Sequence, residues 1–168
     1  MSIIDFFDIS PYQWHSILTA IICGGMIGCE RQIRGKPVGI RTASLITLGT
    51  YLFMATSSSF AEGSYDPSRV MGQIITGIGF LGAGVMLARD GAVVGVTSAA
   101  TIWVLAAIGL MIGTDNLIAG VKVSFLVVGI LVGVEILERH LKLLSRGVHT
   151  SIKNMHRKDI QNKDNESS

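Results

Sequence analysis

Five apolar runs, each near the length of a membrane-spanning helix, constrain the fold of this chain more than any other feature. They extend over about residues 14–29, 43–60, 70–88, 92–112 and 117–137. A helix needs about 20 apolar residues to cross the ~30 Å hydrocarbon core of a bilayer. None of the runs alternates apolar and polar residues, as a membrane barrel strand must. The sequence therefore predicts an all-α, polytopic membrane protein with five transmembrane helices.

The composition agrees with this prediction. Of 168 residues, 49% are hydrophobic and 15% are charged, and the mean hydropathy is +0.52, whereas a soluble domain carries roughly 25% charged residues. The net charge is only +2, and no stripe of basic residues with interleaved aromatics is present that would follow a phosphate backbone. We therefore expect the lipid bilayer, and no nucleic acid, among the partners.

The charges between the runs predict an orientation. Residues 30–41 hold four basic side chains and one acid, and residues 139–158 hold six basic side chains and no acid. The acids of the alternate connections are Asp5, Asp8, Glu62, Asp66 and Asp115. Because basic segments stay in the cytoplasm, the N-terminus is expected outside and the C-terminus inside. The predicted domains are a transmembrane domain, 1–138, and a basic, partly disordered cytoplasmic tail, 139–168.

The third run is unusually rich in glycine, with five glycines between Gly72 and Gly84. Small residues let helix backbones approach closely within a membrane, so this run is interpreted as the central packed helix. Its N-cap and first helical residue are predicted at Asp66 and Pro67. The short connection at residues 89–91 predicts that the third and fourth helices are antiparallel neighbours. The predicted packing residues are Gly72, Gly79, Gly82 and Gly84.

Polar side chains of the third and fourth runs form a candidate intramembrane cluster. Arg69 and Gln73 share a helix face just after Asp66. In one interpretation Arg69 reaches lipid headgroups and Gln73 bonds a neighbouring helix, and in the other these side chains form a cluster that opens into the bundle. Hydroxyls spaced like Thr97 and Thr101 usually bond helix carbonyls. The predicted cluster consists of Asp66, Arg69, Gln73, Thr97 and Thr101.

The charged loop after the first run is the second candidate site. It is predicted to face the cytoplasm, where a partner protein would read its basic side chains. The basic tail is expected either on the anionic inner leaflet or against a protein partner. The residues of this cytoplasmic basic loop are Glu30, Arg31, Arg34, Lys36 and Arg41.

No catalytic, cofactor or metal motif accompanies these sites. The formal G-x-G-x-x-G at residues 77–82 lies inside an apolar run and lacks the strand that a dinucleotide fingerprint requires. Cys23 and Cys29 are too far apart on a helix to form a disulfide or a close ligand pair. The sequence therefore predicts that the chain is not an enzyme and holds no cofactor and no metal.

Three segments of the chain closely resemble the membrane domain of the MgtC/SapB family: GCERQIRGKPVGIRT (28–42), DPSRVMGQIITGIGFLGAGVML (66–87) and GVTSAATIWVLAAIG (95–109). The resemblance covers most of residues 14–138. It implies a multi-pass protein of the bacterial inner membrane, linked to growth at low Mg²⁺ and to virulence. Longer members add a soluble C-terminal domain. Positions that follow the family pattern are Glu30, Arg31, Arg34, Gly35, Arg41, Asp66, Arg69, Gln73, Gly79, Gly82, Gly84, Thr97, Thr101 and Trp103.

Two functions follow as hypotheses. The resemblance implies a non-enzymatic regulator that binds other membrane proteins, since better-studied relatives act in this way, and a membrane-protein partner or a homo-oligomer is then expected. The alternative is a transporter or channel component for Mg²⁺ or another ion, which the intramembrane Gln73 and the glycine-rich third run favour.

Overall fold

A computed structural model of the chain describes residues 8–59, 66–89 and 92–140, which form five helices and two short strands. The helices are α1 (Trp14–Ile33), α2 (Ile40–Ser59), α3 (Pro67–Gly84), α4 (Val96–Gly113) and α5 (Leu117–His140), and the strands are β1 (Leu87–Arg89) and β2 (Ala92–Val94). The chain divides into two compact units, Met1–Val128 and Gly129–Ser168. The contacts described below belong to the first unit. Asp5, Glu62 and residues 141–168 of the predicted tail lie outside the described residues.

Each predicted run overlaps one helix. Within the described ranges, two helical segments are long and apolar enough to cross a membrane, Val96–Gly113 and Leu117–Leu137. The crossing of the membrane by all five helices, and their orientation, stay predictions.

The predicted bounds of the third and fourth helices are wrong at the connection between α3 and α4. There, β1 and β2 form an antiparallel hairpin in which Leu87 pairs with Val94 and Arg89 with Ala92. α3 therefore ends at Gly84 instead of residue 88, and α4 begins at Val96 instead of residue 92. Val93 and Val94 are β-branched and favour a strand. Apolar character alone could not distinguish this hairpin from helix.

Gly95 ends the hairpin and begins α4. Its φ is +94°, a left-handed conformation that favours glycine. A Cβ at this position would also collide with the backbone oxygen of Val85. The antiparallel arrangement of α3 and α4 is confirmed, because Gly82 near the end of α3 lies beside Ala99 and Trp103 near the start of α4.

The predicted central position of α3 is wrong, since α3 packs chiefly against α2 and α4, whereas α2 and α4 each pack against three helices, namely α1, α3 and each other. Close approach depends on glycines of the flanking helices. A Cβ on Gly24 of α1 would lie 2.7 Å from the Ala43 carbonyl oxygen, and a Cβ on Gly113 of α4 would lie 2.6 Å from Cβ of Met54. The glycines that allow tight packing within the chain are therefore mainly those of α1 and α4.

Three buried hydroxyl groups of the first unit make hydrogen bonds within their own helices. Thr47, Thr101 and Ser124 are buried, and each hydroxyl donates to the carbonyl oxygen four residues earlier in its own helix. Such local bonds satisfy a polar group in apolar surroundings. The Thr101 hydroxyl thus bonds a carbonyl oxygen of its own helix, as the sequence predicted.

Candidate functional site

Arg31 departs most from its predicted position. It is 4% exposed, and its Nη2 donates to Oγ of Ser98 at 2.5 Å. Its Nε donates to the carbonyl oxygen of Pro37 at 3.4 Å. One guanidinium thus joins the end of α1, the loop before α2 and the first turn of α4. Arg31 lies inside the protein and is not part of a surface that a partner could read, because its side chain is buried and donates to the buried Ser98 hydroxyl.

The next charged residues of this loop form a pair along the helix. Oε1 of Glu30 lies 2.6 Å from Nε of Arg34, and these side chains are 8% and 21% exposed. Within the part of the chain that the structure describes, Oε2 of Glu30 is buried and accepts no hydrogen bond. The pair lies one turn apart, a spacing that stabilises a helix end, and α1 accordingly continues to Ile33, past the predicted end at residue 29.

Lys36 and Arg41 remain exposed. The backbone next to Arg41 is held by a hydrogen bond, because Oε1 of Gln32 accepts from the backbone N–H of Ile40 at 3.3 Å. Of the predicted basic loop, these two cations lie on the surface, Arg34 is largely covered and paired with Glu30, and Arg31 is internal. We call the surface formed by Lys36 and Arg41 the basic surface.

At the opposite end of α3, Asp66 is the predicted N-cap. Its Oδ1 accepts from the Ser68 backbone N–H at 2.9 Å, and its Oδ2 accepts from the Ser68 hydroxyl at 2.7 Å. These hydrogen bonds favour the carboxylate and hold the pKa of Asp66 below its usual value, with a smaller contribution in the same direction from the charge of Arg69. Asp66 is solvent-exposed, so the cap is a local structure of the helix start.

Arg69 and Gln73 lie one turn apart on the same face of α3, and both are exposed. Among the described residues, no hydrogen bond or salt bridge joins their side chains to each other or to Asp66. The three residues are neighbours along one helix face rather than a closed polar network.

Thr97 and Thr101 do not join these residues. They lie in the first two turns of α4, beside the Gly82 end of α3. Gln73 is nine residues before Gly82, which corresponds to about 13 Å along the helix. The predicted five-residue cluster is therefore divided between the two ends of α3, because α3 and α4 are antiparallel.

A groove of about 570 Å³ lies between α2 and α3. Its walls are almost entirely apolar, and they include Thr50, Phe53 and Ser57 of α2 and Gln73, Gly77 and Leu81 of α3. The α2 hydroxyls are already bonded within their own helix. Gln73 is thus the polar side chain of this wall whose amide makes no hydrogen bond within the described ranges. Gln73 was predicted from the sequence, but the α2 wall was not. The spacing of residues along the chain does not indicate that α2 and α3 pack together.

The predicted packing glycines of α3 differ in their surroundings. A Cβ on Gly82 would lie 3.8 Å from Ala99. A Cβ on Gly72, Gly79 or Gly84 would meet no atom within 4 Å. Packing of these three against another molecule stays a prediction.

The described residues contain no group of three or more His, Cys, Asp or Glu side chains that could hold a metal ion. Cys23 is buried and Cys29 is half-buried, and both are free thiols.

The comparisons with known proteins agree on one family. A model of the MgtC family matches residues 17–140. A protein of Escherichia coli (strain K12) named "Putative magnesium transporter YhiD" is 50% identical over 105 residues, which are 58% of this chain and 48% of that protein. Protein MgtC of Brucella abortus (strain 2308) is 44% identical over 94 residues, 56% of this chain and 39% of the relative.

Protein MgtC of Salmonella typhimurium (strain LT2) is 41% identical over 98 residues, 58% of this chain and 42% of the relative. The aligned part of this chain thus spans less than half the length of each of these relatives. No solved structure matches the chain.

Proposed function

Because this chain belongs to the MgtC family, a family of membrane proteins, we propose that it is a multi-pass protein of the bacterial inner membrane that regulates other membrane proteins when Mg²⁺ is limiting. In this proposal its five helices cross the bilayer with the N-terminus outside. The protein acts by binding, without catalysis and without a resident metal.

The internal position of Arg31 is the observation that carries the proposal. A buried guanidinium that is hydrogen-bonded to the loop and to α4 holds the loop backbone in one arrangement. Lys36 and Arg41, on either side of the fixed backbone at Ile40, are then presented without a large loss of loop entropy on binding. A preorganised basic surface at the membrane edge suits an acidic segment of a partner protein.

Charge complementarity sets the expected behaviour of this contact. Exposed cations accelerate encounter with an acidic partner and add modest affinity, and both effects weaken as salt rises. We therefore expect partner binding to depend on ionic strength.

Crosslinking in native membranes tests the regulator. The double variant Lys36→Gln/Arg41→Gln should lower the yield of a crosslinked partner membrane protein severalfold, while Lys122→Gln, which removes an exposed cation from α5, should leave the yield unchanged. Recovery of only lipid and the protein itself from wild-type membranes would contradict the proposal.

A second function, Mg²⁺ transport, is favoured by the groove with Gln73 on its wall and by the name of the E. coli relative. Proteoliposomes with an internal Mg²⁺ indicator distinguish the two functions. Entry that requires the protein and falls in Gln73→Leu would favour transport along the groove. If folded protein admits no more Mg²⁺ than empty vesicles do, transport by this chain alone is excluded under those conditions.

A further inference from the structure

We propose that the groove between α2 and α3 binds one phospholipid molecule of the surrounding membrane, with preference for an anionic headgroup. This inference is independent of whether the protein regulates or transports. It depends on the order in which charge, amide and apolar surface follow one another along α3.

Charged, amide and apolar positions follow one another along α3. Arg69, Gln73, Gly77 and Leu81 occupy successive turns on one face of α3, and each step is about 6 Å along the helix. Gln73, Gly77 and Leu81 line the groove, and Arg69 stands one turn beyond Gln73 toward the helix start. A phospholipid has the same order: an anionic phosphate, then ester carbonyls, then hydrocarbon.

The polar side chains of Arg69 and Gln73 are available to donate hydrogen bonds to a lipid. Arg69 is exposed and makes no salt bridge within the described ranges, so its guanidinium can bond a phosphate in the forked geometry that arginine favours. The Gln73 amide can donate to an ester carbonyl. By contrast, the hydroxyl of Ser57 on the α2 wall already donates to the Met54 carbonyl oxygen. Gln73 on the groove wall and Arg69 one turn beyond it therefore place two donor groups at the end where a headgroup would lie.

The size and the apolar walls of the groove suit a lipid chain. A volume of about 570 Å³ falls within the ~300–1,000 Å³ of ordinary ligand sites. Gly77 leaves the floor open, since a Cβ there would meet no atom within 4 Å, and Phe53 and Leu81 supply apolar walls. A bilayer surrounds such a groove with hydrocarbon chains at high concentration, so a phospholipid chain is the occupant whose chemistry fits both wall and mouth.

The positive charge of Arg69 favours phospholipids with an anionic headgroup. A basic residue near anionic lipid contributes ~1 kcal/mol, which corresponds to about fivefold in binding. Asp66 lies near Arg69 and reduces this attraction, and the capping hydrogen bonds from Ser68 keep its carboxylate oriented toward its own helix. The expected result is a modest preference for phosphatidylglycerol over phosphatidylcholine with the same acyl chains.

Native mass spectrometry of the full chain, released from detergent with added phosphatidylglycerol or phosphatidylcholine, tests the proposal. Wild-type protein should retain one lipid and prefer phosphatidylglycerol. Arg69→Gln should lower this preference about fivefold and still retain lipid. Gly77→Phe, which fills the groove, should lose retention of both lipids.

Two matched variants serve as controls. Gly79→Phe adds the same side chain to another open position of α3 that does not line the groove, and Lys122→Gln removes an exposed cation from α5. Both should retain lipid as wild type does. If circular dichroism finds that Gly77→Phe has lost helix, the headgroup preference of Arg69→Gln decides alone.

Three results would overturn the proposal. The first is that wild-type protein retains neither lipid above the level of Gly77→Phe. The second is that folded Arg69→Gln keeps the wild-type headgroup preference. The third is that the groove is filled by a second copy of the chain, seen as a dimer mass that Gly77→Phe abolishes without any change in lipid retention.

Discussion

The hydrogen bond between Arg31 and Ser98 joins α1 to the first turn of α4. Ser98 is 2% exposed and its Oγ accepts from the buried guanidinium. Ser98→Ala leaves that charged donor without its acceptor, and we expect a loss of ~1–3 kcal/mol of unfolding free energy. The measurement is reversible unfolding in mixed micelles.

Ser124→Ala is the matched control for this prediction. Ser124 is also buried, at 0% exposure, but its hydroxyl bonds only its own helix, at the Gly120 carbonyl oxygen. Its replacement should cost less than ~1 kcal/mol. Equal losses in the two variants would show that the Arg31 contact has no special role.

The titration of Asp66 gives a residue-level dependence on pH. Because its pKa is lowered in the folded protein, its stabilisation of the start of α3 is complete above the unfolded value of ~3.9 and is lost as the pH falls through the folded value. Asp66→Asn keeps a capping side chain that does not titrate. Wild type should therefore exceed Asp66→Asn in thermal midpoint at pH 6, and the difference should shrink below about pH 4. A difference that stays constant down to pH 3 would contradict the assignment.

At the scale of elements, glycines with opposite surroundings give opposite predictions. A Cβ on Gly109 of α4 would collide with Thr50 and with the Thr47 carbonyl oxygen of α2, so Gly109→Ala should destabilise the helix pair by ~1–3 kcal/mol. A Cβ on Gly72 meets open space, so Gly72→Ala should be neutral or stabilise α3 by up to ~1 kcal/mol. Thermal unfolding of both variants is the measurement. A large loss in Gly72→Ala would instead indicate that another molecule packs on that face.

The elements also separate what sequence could predict from what it could not. Asp66 and Pro67 correctly predicted the start of α3, because a cap is a local structure. The hairpin at Leu87–Val94 was not predicted, since its residues are as apolar as those of a helix. The burial of Arg31 and the α2 wall of the groove were not predicted, because each depends on which helices pack together. The sequence around an arginine at a helix end is the same whether its side chain faces water or bonds Ser98.

For the whole molecule, the predicted orientation gives a direct labelling test. In a variant without its native thiols, Lys36→Cys should react with a membrane-impermeant reagent only from the cytoplasmic side, and Asn116→Cys only from the outside. Lys36 and Asn116 are both exposed in loops between helices. A cysteine-free protein is the control, and labelling of both positions from the same side would contradict the five-span topology.

The bond between Arg31 and Ser98 also has a consequence for the order of assembly in the cell. Its partners are 67 positions apart in the chain. At the ~5–20 residues per second of protein synthesis, the arginine leaves the ribosome roughly 3 to 13 s before the serine. In the proposed five-span topology, the guanidinium lacks its Ser98 acceptor during that interval, and we expect α1 to settle against its neighbours only when the first turn of α4 has been made.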